Sequence, residues 1–274
     1  MFAVRAPDHL GDAVMALPAI LALAMVGPVT VYSRGRWAVE LFHGLPVRDG
    51  DAPPTGEIGV LFKPSLHAAW AWRTLPQRFG IGPFLTTNVG NRSEHRRDRY
   101  ARIAAAAGAG AVGMPRYLQR GTAPDLPDDF VAVNPWSPSA TVRWPYFREL
   151  ADRIGNVVFF AGPGEGGAVR GMAGSFRLVE GLSLPDFAAA LDRASVFITG
   201  DSGAGHFAAA CGARVVMLHG STTASRTGVG VAVEGPELWC RPCYRKVCPF
   251  QLGCLRGIEV ERVLAAARSV QAGE

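Results

Sequence analysis

The stretch from Thr199 to Gly212 combines residue types that bind anions and sugars. It reads TGDSGAGHFAAACG and directly follows an apolar run that ends at Ile198. Because backbone N–H groups at the start of a helix bind phosphate, the amides of Ser202 and Gly203 are candidate phosphate-binding groups, and the Asp201 carboxylate can accept hydrogen bonds from sugar hydroxyls. Capping of the helix by Asp201 or Ser202 explains the same residue types without a ligand. The stretch alone leaves both interpretations open.

Three more loops follow predicted strands in the same half of the chain. Segment 134–143 carries several hydroxyl residues, the glycine-rich segment 162–167 contains Glu165, which can accept ribose hydroxyls, and Ser221-Thr222-Thr223 follows the apolar run 215–219. A tight turn with a solvated glutamate and an ordinary Ser/Thr turn are the simpler explanations of the last two. Because the carboxyl ends of parallel strands share one edge of a sheet, we expect all four loops to converge there.

The first half of the chain offers one comparable carboxylate. Asp12, in the sequence Leu10-Gly11-Asp12, stands between a predicted strand and a predicted helix. Its ordinary interpretation is a helix N-cap. The alternative is a general base that removes a proton from a hydroxyl group.

These candidate residues must be positioned by regularly alternating elements. The sequence predicts strands at 2–5, 29–32, 59–62, 131–134, 157–161, 196–199 and 215–219, with helices from about residue 13 and at 37–41, 97–107, 146–154, 186–194, 204–211 and 260–270. Such alternation favours an α/β fold with parallel sheets. Segment 115–129 combines Pro, Gly and acidic residues without a period, which is typical of a linker. We therefore predict two Rossmann-like lobes, residues 1–122 and 123–274.

Composition narrows the class of protein further. The 274 residues are 49% hydrophobic, which excludes general disorder. The net charge of +5 is uneven, with 14 Lys and Arg against 8 Asp and Glu in residues 1–122, and 14 against 15 in residues 123–274. The first lobe therefore favours an anionic partner. Nucleic acid is disfavoured, because the arginines lack interleaved aromatic residues.

No signal peptide is evident and the longest apolar run, 13–26, contains Pro18, so we expect a cytoplasmic protein.

The chain resembles glycosyltransferase family 9, the ADP-heptose:lipopolysaccharide heptosyltransferases. The resemblance rests on seven segments in the family's order, namely HLGDAVMALPAI (9–20), KPSLHAAW (63–70), HRRDRY (95–100), NPWSPSATVRWP (134–145), AGPGE (161–165), GDSGAGHFAAACG (200–212) and HGSTTASRTG (219–228). It implies a GT-B fold, with an N-terminal acceptor lobe, a C-terminal donor lobe and a cleft between them. It also implies inverting transfer of a heptose from ADP-heptose to an inner-core sugar of a lipid-linked acceptor, with no cofactor needed for catalysis.

The same resemblance assigns roles to individual residues. Asp12 matches the catalytic base, and the expected donor-binding residues are Ser137, Ser139, Arg143, Glu165, Asp201, Ser202, Gly203, His206 and Thr222. Asp201 is expected to contact heptose hydroxyls, and Glu165 to contact ribose. The family often has a lysine at the position of Val142, where it meets the donor phosphate. Arg143 stands beside it and is the candidate replacement.

Four cysteines are concentrated in segment 239–254. Cys240 and Cys243 have the spacing of a metal-binding pair, Cys248 and Cys254 are spaced more widely, and the four thiols are candidates for a tetrahedral structural zinc or iron ion. Plain reduced thiols and an iron–sulfur cluster are the alternatives. Cys211 lies on a helix rich in small residues and is expected to be buried.

The expected partners are a nucleotide-sugar donor and an anionic glycolipid or glycan acceptor, with peripheral contact at the inner membrane. The basic cluster of Arg92, Arg96, Arg97, Arg99 and Arg102 can attract acceptor phosphates, although a solvated helix face explains it equally. Two other functions remain open. One is a noncatalytic nucleotide-sugar-binding or assembly protein, and the other is an oligomer interface built by the cysteine segment.

Overall fold

The computed structural model describes residues 1–63, 66–90 and 94–273. The chain divides into two compact units, Met1–Tyr117 and Leu118–Glu274. Residues 109–130 form neither helix nor strand, and the predicted linker 115–129 lies within them.

The described residues of the first unit form a six-stranded parallel sheet in the order β3-β2-β1-β4-β5-β6. Its strands are β1 (Phe2–Arg5), β2 (Val29–Ser33), β3 (Val47–Asp49), β4 (Ile58–Leu61), β5 (Gln77–Gly80) and β6 (Thr87–Asn88). Its helices are α1 (Leu10–Ala24), α2 (Ala38–Leu41), α3 (Leu66–Ala71) and α4 (Arg96–Ala106). Every residue of β1 and β2 is buried, as expected when helices cover both faces of a parallel sheet.

The second unit repeats this topology, with a parallel sheet in the order β12-β11-β10-β7-β8-β9. Its strands are β7 (Val131–Asn134), β8 (Val157–Ala161), β9 (Arg177–Glu180), β10 (Val196–Gly200), β11 (Val215–His219) and β12 (Val231–Glu234). Its helices are α5 (Phe147–Ile154), α6 (Gly166–Ala173), α7 (Leu184–Leu191), α8 (Gly203–Ala210), α9 (Ala224–Thr227), α10 (Gly253–Arg256) and α11 (Val260–Ala272). The indole of buried Trp144 donates to the carbonyl of Ile258 at 3.0 Å, which fixes the end of the loop after β7.

Both sheets reverse their strand order beside the first strand of the unit, as Rossmann folds do. The predicted α/β class is therefore confirmed. All seven predicted strands are present within one or two residues, and α1 begins at Leu10 rather than near residue 13. In the described part of the chain, no helix is both long and apolar enough to cross a membrane.

Candidate functional site

Sheet topology brings the four candidate loops of the second unit to one edge. Strands β11, β10, β7 and β8 are consecutive neighbours in a parallel sheet, so the loops that follow them leave from the same side. The end of β10 touches the loop after β7 directly, because a Cβ atom at Gly200 would lie 2.2 Å from the carbonyl oxygen of Val142. Glycine is therefore required where β10 ends. The expected convergence of the four loops is confirmed.

Asp201 bonds to several elements at this edge. Its Oδ2 accepts a hydrogen bond from the Thr227 hydroxyl at 2.7 Å, and its Oδ1 lies 3.3 Å from Nε2 of His206. Nδ1 of His219 is 3.8 Å from Oδ2. All three partners are buried, and the Asp201 side chain is 8% exposed. The carboxylate thus joins the loop after β10 to α8, to the end of β11 and to α9.

The charge of Asp201 is stabilised by these partners. Burial alone would raise the pKa of Asp201, but His206, His219 and the Thr227 hydroxyl outweigh burial and lower the pKa to about 2. Burial also lowers the pKa of His219, against the opposing effect of Asp201. His219 and Thr227 were not singled out from the sequence, because nothing in their local spacing marks them as partners of a carboxylate 26 residues away from Thr227.

Ser202 caps α8, which confirms the capping interpretation for that residue. Its Oγ accepts from the Gly205 N–H at 3.4 Å and lies 3.0 Å from the hydroxyl of Thr199. Gly203 is the first residue of the helix, and His206 is one turn further along. Capping and phosphate binding do not exclude each other here, because a helix start has several free N–H groups and the cap uses one.

The loop after β7 presents hydroxyl groups and one arginine. Ser137 accepts from the Ser139 N–H at 3.2 Å, and the hydroxyl of Ser139 lies 2.9 Å from that of Thr141. Val142 is buried, so the position at which the family often has a lysine points into the protein. Arg143 stacks on Trp136, with its guanidinium carbon 3.4 Å from the ring centroid.

Burial lowers the pKa of Arg143, and the charge of Glu165 on the loop after β8 acts in the opposite direction. Oε2 of Glu165 accepts from the Gly162 N–H at 2.9 Å, which closes the glycine-rich turn. On the fourth loop, the Thr222 hydroxyl lies 3.2 Å from Nδ1 of His219. Each expected donor-side residue therefore lies at the same sheet edge.

Asp12 lies in the first unit and is not the N-cap of α1. The cap is His9, and Asp12 sits in the first turn, where it pairs with Arg96 of α4 at 2.6 Å. Burial and then the Asp12 charge raise the pKa of Tyr100 well above its ordinary value. The N-cap interpretation of Asp12 is therefore wrong, and the alternative of a general base stays a prediction.

Most of the basic cluster in this unit is paired with acidic residues. Besides Arg96, Arg97 pairs with Asp98 at 2.8 Å, and Arg102 pairs with Glu94. Arg92 lies outside the described residues. Nearby, Asp8 is bonded by buried Arg5 at 2.8 Å and by Lys63.

The four clustered cysteines line one cavity of about 160 Å³. Cys254 is buried, whereas Cys240, Cys243 and Cys248 are half-buried. Burial raises the pKa of Cys254, and Cys248 and Cys243 add to this effect. Within residues 1–63, 66–90 and 94–273, no three His, Cys, Asp or Glu side chains are grouped so as to hold a metal ion. Cys211 is buried as predicted.

The two Rossmann-like units match solved family 9 glycosyltransferases, so the fold class is GT-B. The family profile of glycosyltransferase family 9 (heptosyltransferase) matches residues 92–253, more than half of the chain. The chain therefore belongs to glycosyltransferase family 9. No curated protein sequence matches it significantly.

Solved structures share the fold over the whole chain at low sequence identity. A family 9 glycosyl transferase from Veillonella parvula has 19% identity and a TM-score of 0.75, covering 100% of this chain and 97% of that one. The ADP-heptose LPS heptosyltransferase II of E. coli has 18% identity and a TM-score of 0.74, covering 99% and 98%. The iron-containing dodecameric glycosyltransferase TibC of enterotoxigenic E. coli has 14% identity and a TM-score of 0.72, covering 99% and 76%.

Replacing Asp201 with asparagine removes the buried charge and preserves the side-chain shape. A lowered carboxyl pKa contributes stability that is present above the ordinary value of 3.8 and is lost as the pH falls through the folded value of about 2. This shift corresponds to about 2 kcal/mol. We expect Asp201→Asn to lower the free energy of unfolding by about 2 kcal/mol at pH 7, measured by urea denaturation.

The difference between wild type and Asp201→Asn should shrink as the pH is lowered from 4 towards 2. Asp152→Asn is the control, because it breaks an exposed pair with Arg148 and should change stability by less than about 0.5 kcal/mol. A difference that is independent of pH would contradict the assigned role of the Asp201 charge.

Proposed function

We propose that the protein is an inverting glycosyltransferase that transfers a heptose from ADP-heptose to an inner-core sugar of a lipopolysaccharide-type acceptor. The observation that carries this proposal is the convergence of four loops at one edge of the second sheet. Similarity to the E. coli ADP-heptose LPS heptosyltransferase II supports the choice of donor.

The donor-side residues fit a nucleotide diphosphate sugar. The amides of Ser202 and Gly203, at the start of α8, suit the diphosphate, and Glu165 suits the ribose hydroxyls. Asp201 keeps acceptor capacity for heptose hydroxyls, because each carboxylate oxygen can accept two hydrogen bonds and Thr227 donates only one. Ser137, Ser139, Arg143, His206 and Thr222 complete the proposed donor set.

Asp12 is the proposed base. It takes the proton of the acceptor hydroxyl while that oxygen forms a bond to the anomeric carbon of the heptose. The bond from this carbon to the diphosphate oxygen breaks on the opposite face, so the configuration inverts and ADP leaves with the electron pair. Arg96 holds the Asp12 carboxylate in place.

One observation favours a second candidate, a noncatalytic nucleotide-sugar-binding or assembly protein. Val142 is buried where the family often has a lysine, and Arg143 is held on Trp136. Loss of a phosphate-binding cation would weaken the stabilisation of the leaving diphosphate and preserve the fold.

Asp12→Asn separates chemistry from donor binding. We expect the wild-type protein to bind ADP more tightly than UDP, GDP or CMP in calorimetric titrations, and to release ADP from ADP-heptose when a deacylated inner-core acceptor is added. Asp12→Asn should bind ADP within about twofold of wild type and lose at least about a hundredfold in transfer rate.

Each other outcome selects against part of the proposal. If Asp12→Asn transfers heptose as fast as the wild-type protein, Asp12 is not the base. Tight ADP binding without turnover on any core acceptor would favour the noncatalytic protein, and preference for another nucleotide would overturn the donor.

We further propose that the first unit meets the acceptor at an anionic membrane surface, the cytoplasmic face of the inner membrane. Trp70 and Phe84 are about half exposed, with ring centroids 5.4 Å apart, and Arg73 lies 4.1 Å above the Trp70 ring. The sequence between Glu57 and Glu94 contains four basic residues and no acidic one. Exposed aromatic rings beside arginines suit the boundary between headgroups and acyl chains.

Vesicle sedimentation tests this surface. The double variant Trp70→Ala, Phe84→Ala should bind phosphatidylglycerol vesicles about tenfold less than wild type, because two rings lose their burial in lipid. Trp239→Ala is the matched control, since Trp239 belongs to another exposed aromatic pair, with Phe250 of the second unit. Equal binding of wild type to phosphatidylcholine and phosphatidylglycerol vesicles, or unchanged binding of the double variant, would contradict the proposal.

We also propose that Cys240, Cys243, Cys248 and Cys254 hold a structural zinc or iron ion. Two observations support this metal site: the four cysteines line one cavity, and their soft thiolates are ligands that both zinc and iron accept. Coordination of one ion by all four thiolates requires the cysteines to lie closer together than they do in this structure. The iron content of TibC is consistent with such a site in a protein of this fold.

Elemental analysis of the purified protein should find one zinc or iron ion per chain. Cys243→Ser should lose most of this metal and lower the melting temperature, because the ion crosslinks a segment with few apolar contacts. Cys211→Ser should keep the metal, as Cys211 lies outside the cluster. Metal-free wild-type protein with four reactive thiols would show that the cysteines are plain thiols.

A further inference from the structure

The cysteine segment, residues 239–254, is bonded to two of the donor loops. The backbone N–H groups of Cys243 and Tyr244 both donate to the carbonyl of Ser221 at 3.0 Å. The Ser221 hydroxyl donates to Thr141 on the loop after β7, at 3.2 Å to its carbonyl and 3.0 Å to its hydroxyl. The hydroxyl of Thr141 in turn donates to the carbonyl of Arg245. Ser221 and Thr141 are both almost fully buried, so these bonds are shielded from water.

Arg241 makes the largest number of these connections. Its guanidinium donates to the carbonyl of His219, where β11 ends, at 3.3 Å and to the carbonyl of Thr222 in the loop that follows at 3.1 Å. It also donates to the carbonyls of Gly235 and Pro236. The Arg241 side chain is only 8% exposed. One cation therefore bridges the backbone of the donor loop and the backbone after β12.

Glu234, the last residue of β12, completes the arrangement from the other side. Its Oε2 lies 3.4 Å from the Arg241 guanidinium. Its Oε1 accepts from the Thr223 hydroxyl at 3.0 Å and from the Ala224 N–H at 2.7 Å. Burial raises the pKa of Glu234, but Ala224, Thr223 and Arg241 together outweigh burial and lower it, so the carboxylate is charged at neutral pH.

We propose that Arg241 and Glu234 are positioning residues for the donor-binding loop 219–224, and that the cysteine segment supports the donor site through them. This inference rests on the proposed function. Both side chains bond to the backbone of the loop that carries Ser221 and Thr222, through the carbonyls of His219 and Thr222 and the N–H of Ala224. The chain just after β12 approaches the cysteine segment closely, because a Cβ atom at Gly235 would lie 1.9 Å from the carbonyl oxygen of Cys254.

Two measurements on Arg241→Met, Arg241→Lys and Glu234→Gln test the proposal. Amide hydrogen exchange of segment 219–228 should become about tenfold faster in Arg241→Met, because two carbonyls of the loop lose a charged donor. The Kd for ADP and the KM for ADP-heptose should rise about tenfold, whereas kcat should change by less than about threefold. Arg241→Lys should lie between wild type and Arg241→Met, since an ammonium cannot span the same carbonyls.

Arg256→Met is the matched control, because Arg256 is an exposed arginine on α10. It should leave loop exchange and ADP affinity as in wild type. Loop exchange in Arg241→Met equal to that of Arg256→Met would overturn the proposal. If wild-type protein binds no ADP, the proposed function fails, but the exchange comparison still decides whether Arg241 positions the loop. If Arg241→Met does not fold, Glu234→Gln gives the same comparison with the arginine retained.

Discussion

One buried carboxylate fixes the edge of the second sheet. Removing a charge from water costs several kcal/mol unless partners replace the lost solvent, and Asp201 has them in Thr227, His206 and His219. These partners belong to α9, α8 and β11, so three separate elements depend on the same negative charge. The carboxylate thus sets the mutual position of two loops. Only the acceptor positions that these partners do not use can bind a ligand.

The central strands could be predicted because their residues form continuous apolar runs, such as 157–161 and 215–219. The missed strands β3, β5, β6, β9 and β12 are short and partly exposed at the sheet margins, so they lack that signal. Convergence of the donor loops followed from topology alone. The bonding of Asp201 to Thr227 did not, because it depends on how two loops approach each other in space. The alternative interpretation of Asp12 as an N-cap is wrong, because α1 begins three residues earlier than expected.

The departure at Val142 lies where two loops meet. The missing Cβ atom of Gly200 lets the carbonyl of Val142 lie against the end of β10, and the valine itself is buried. The neighbouring Arg143 instead stacks on Trp136 and donates to the carbonyls of Ser137 and Pro138. The cation of this loop is therefore held by its own loop, one residue along from Val142.

The four-residue helix α9 shows how far the donor loop depends on its surroundings. A helix this short has no intrinsic stability, because the cost of nucleation exceeds the gain from its few hydrogen bonds. Glu234 binds the Thr223 hydroxyl and the Ala224 N–H at its start, and Asp201 binds the Thr227 hydroxyl at its end. Two carboxylates from β12 and from the loop after β10 therefore hold both ends of α9. The shape of the loop that carries Thr222 therefore depends on Glu234 and Asp201, and on Arg241, which pairs with Glu234. Its own Ser/Thr-rich sequence does not determine it.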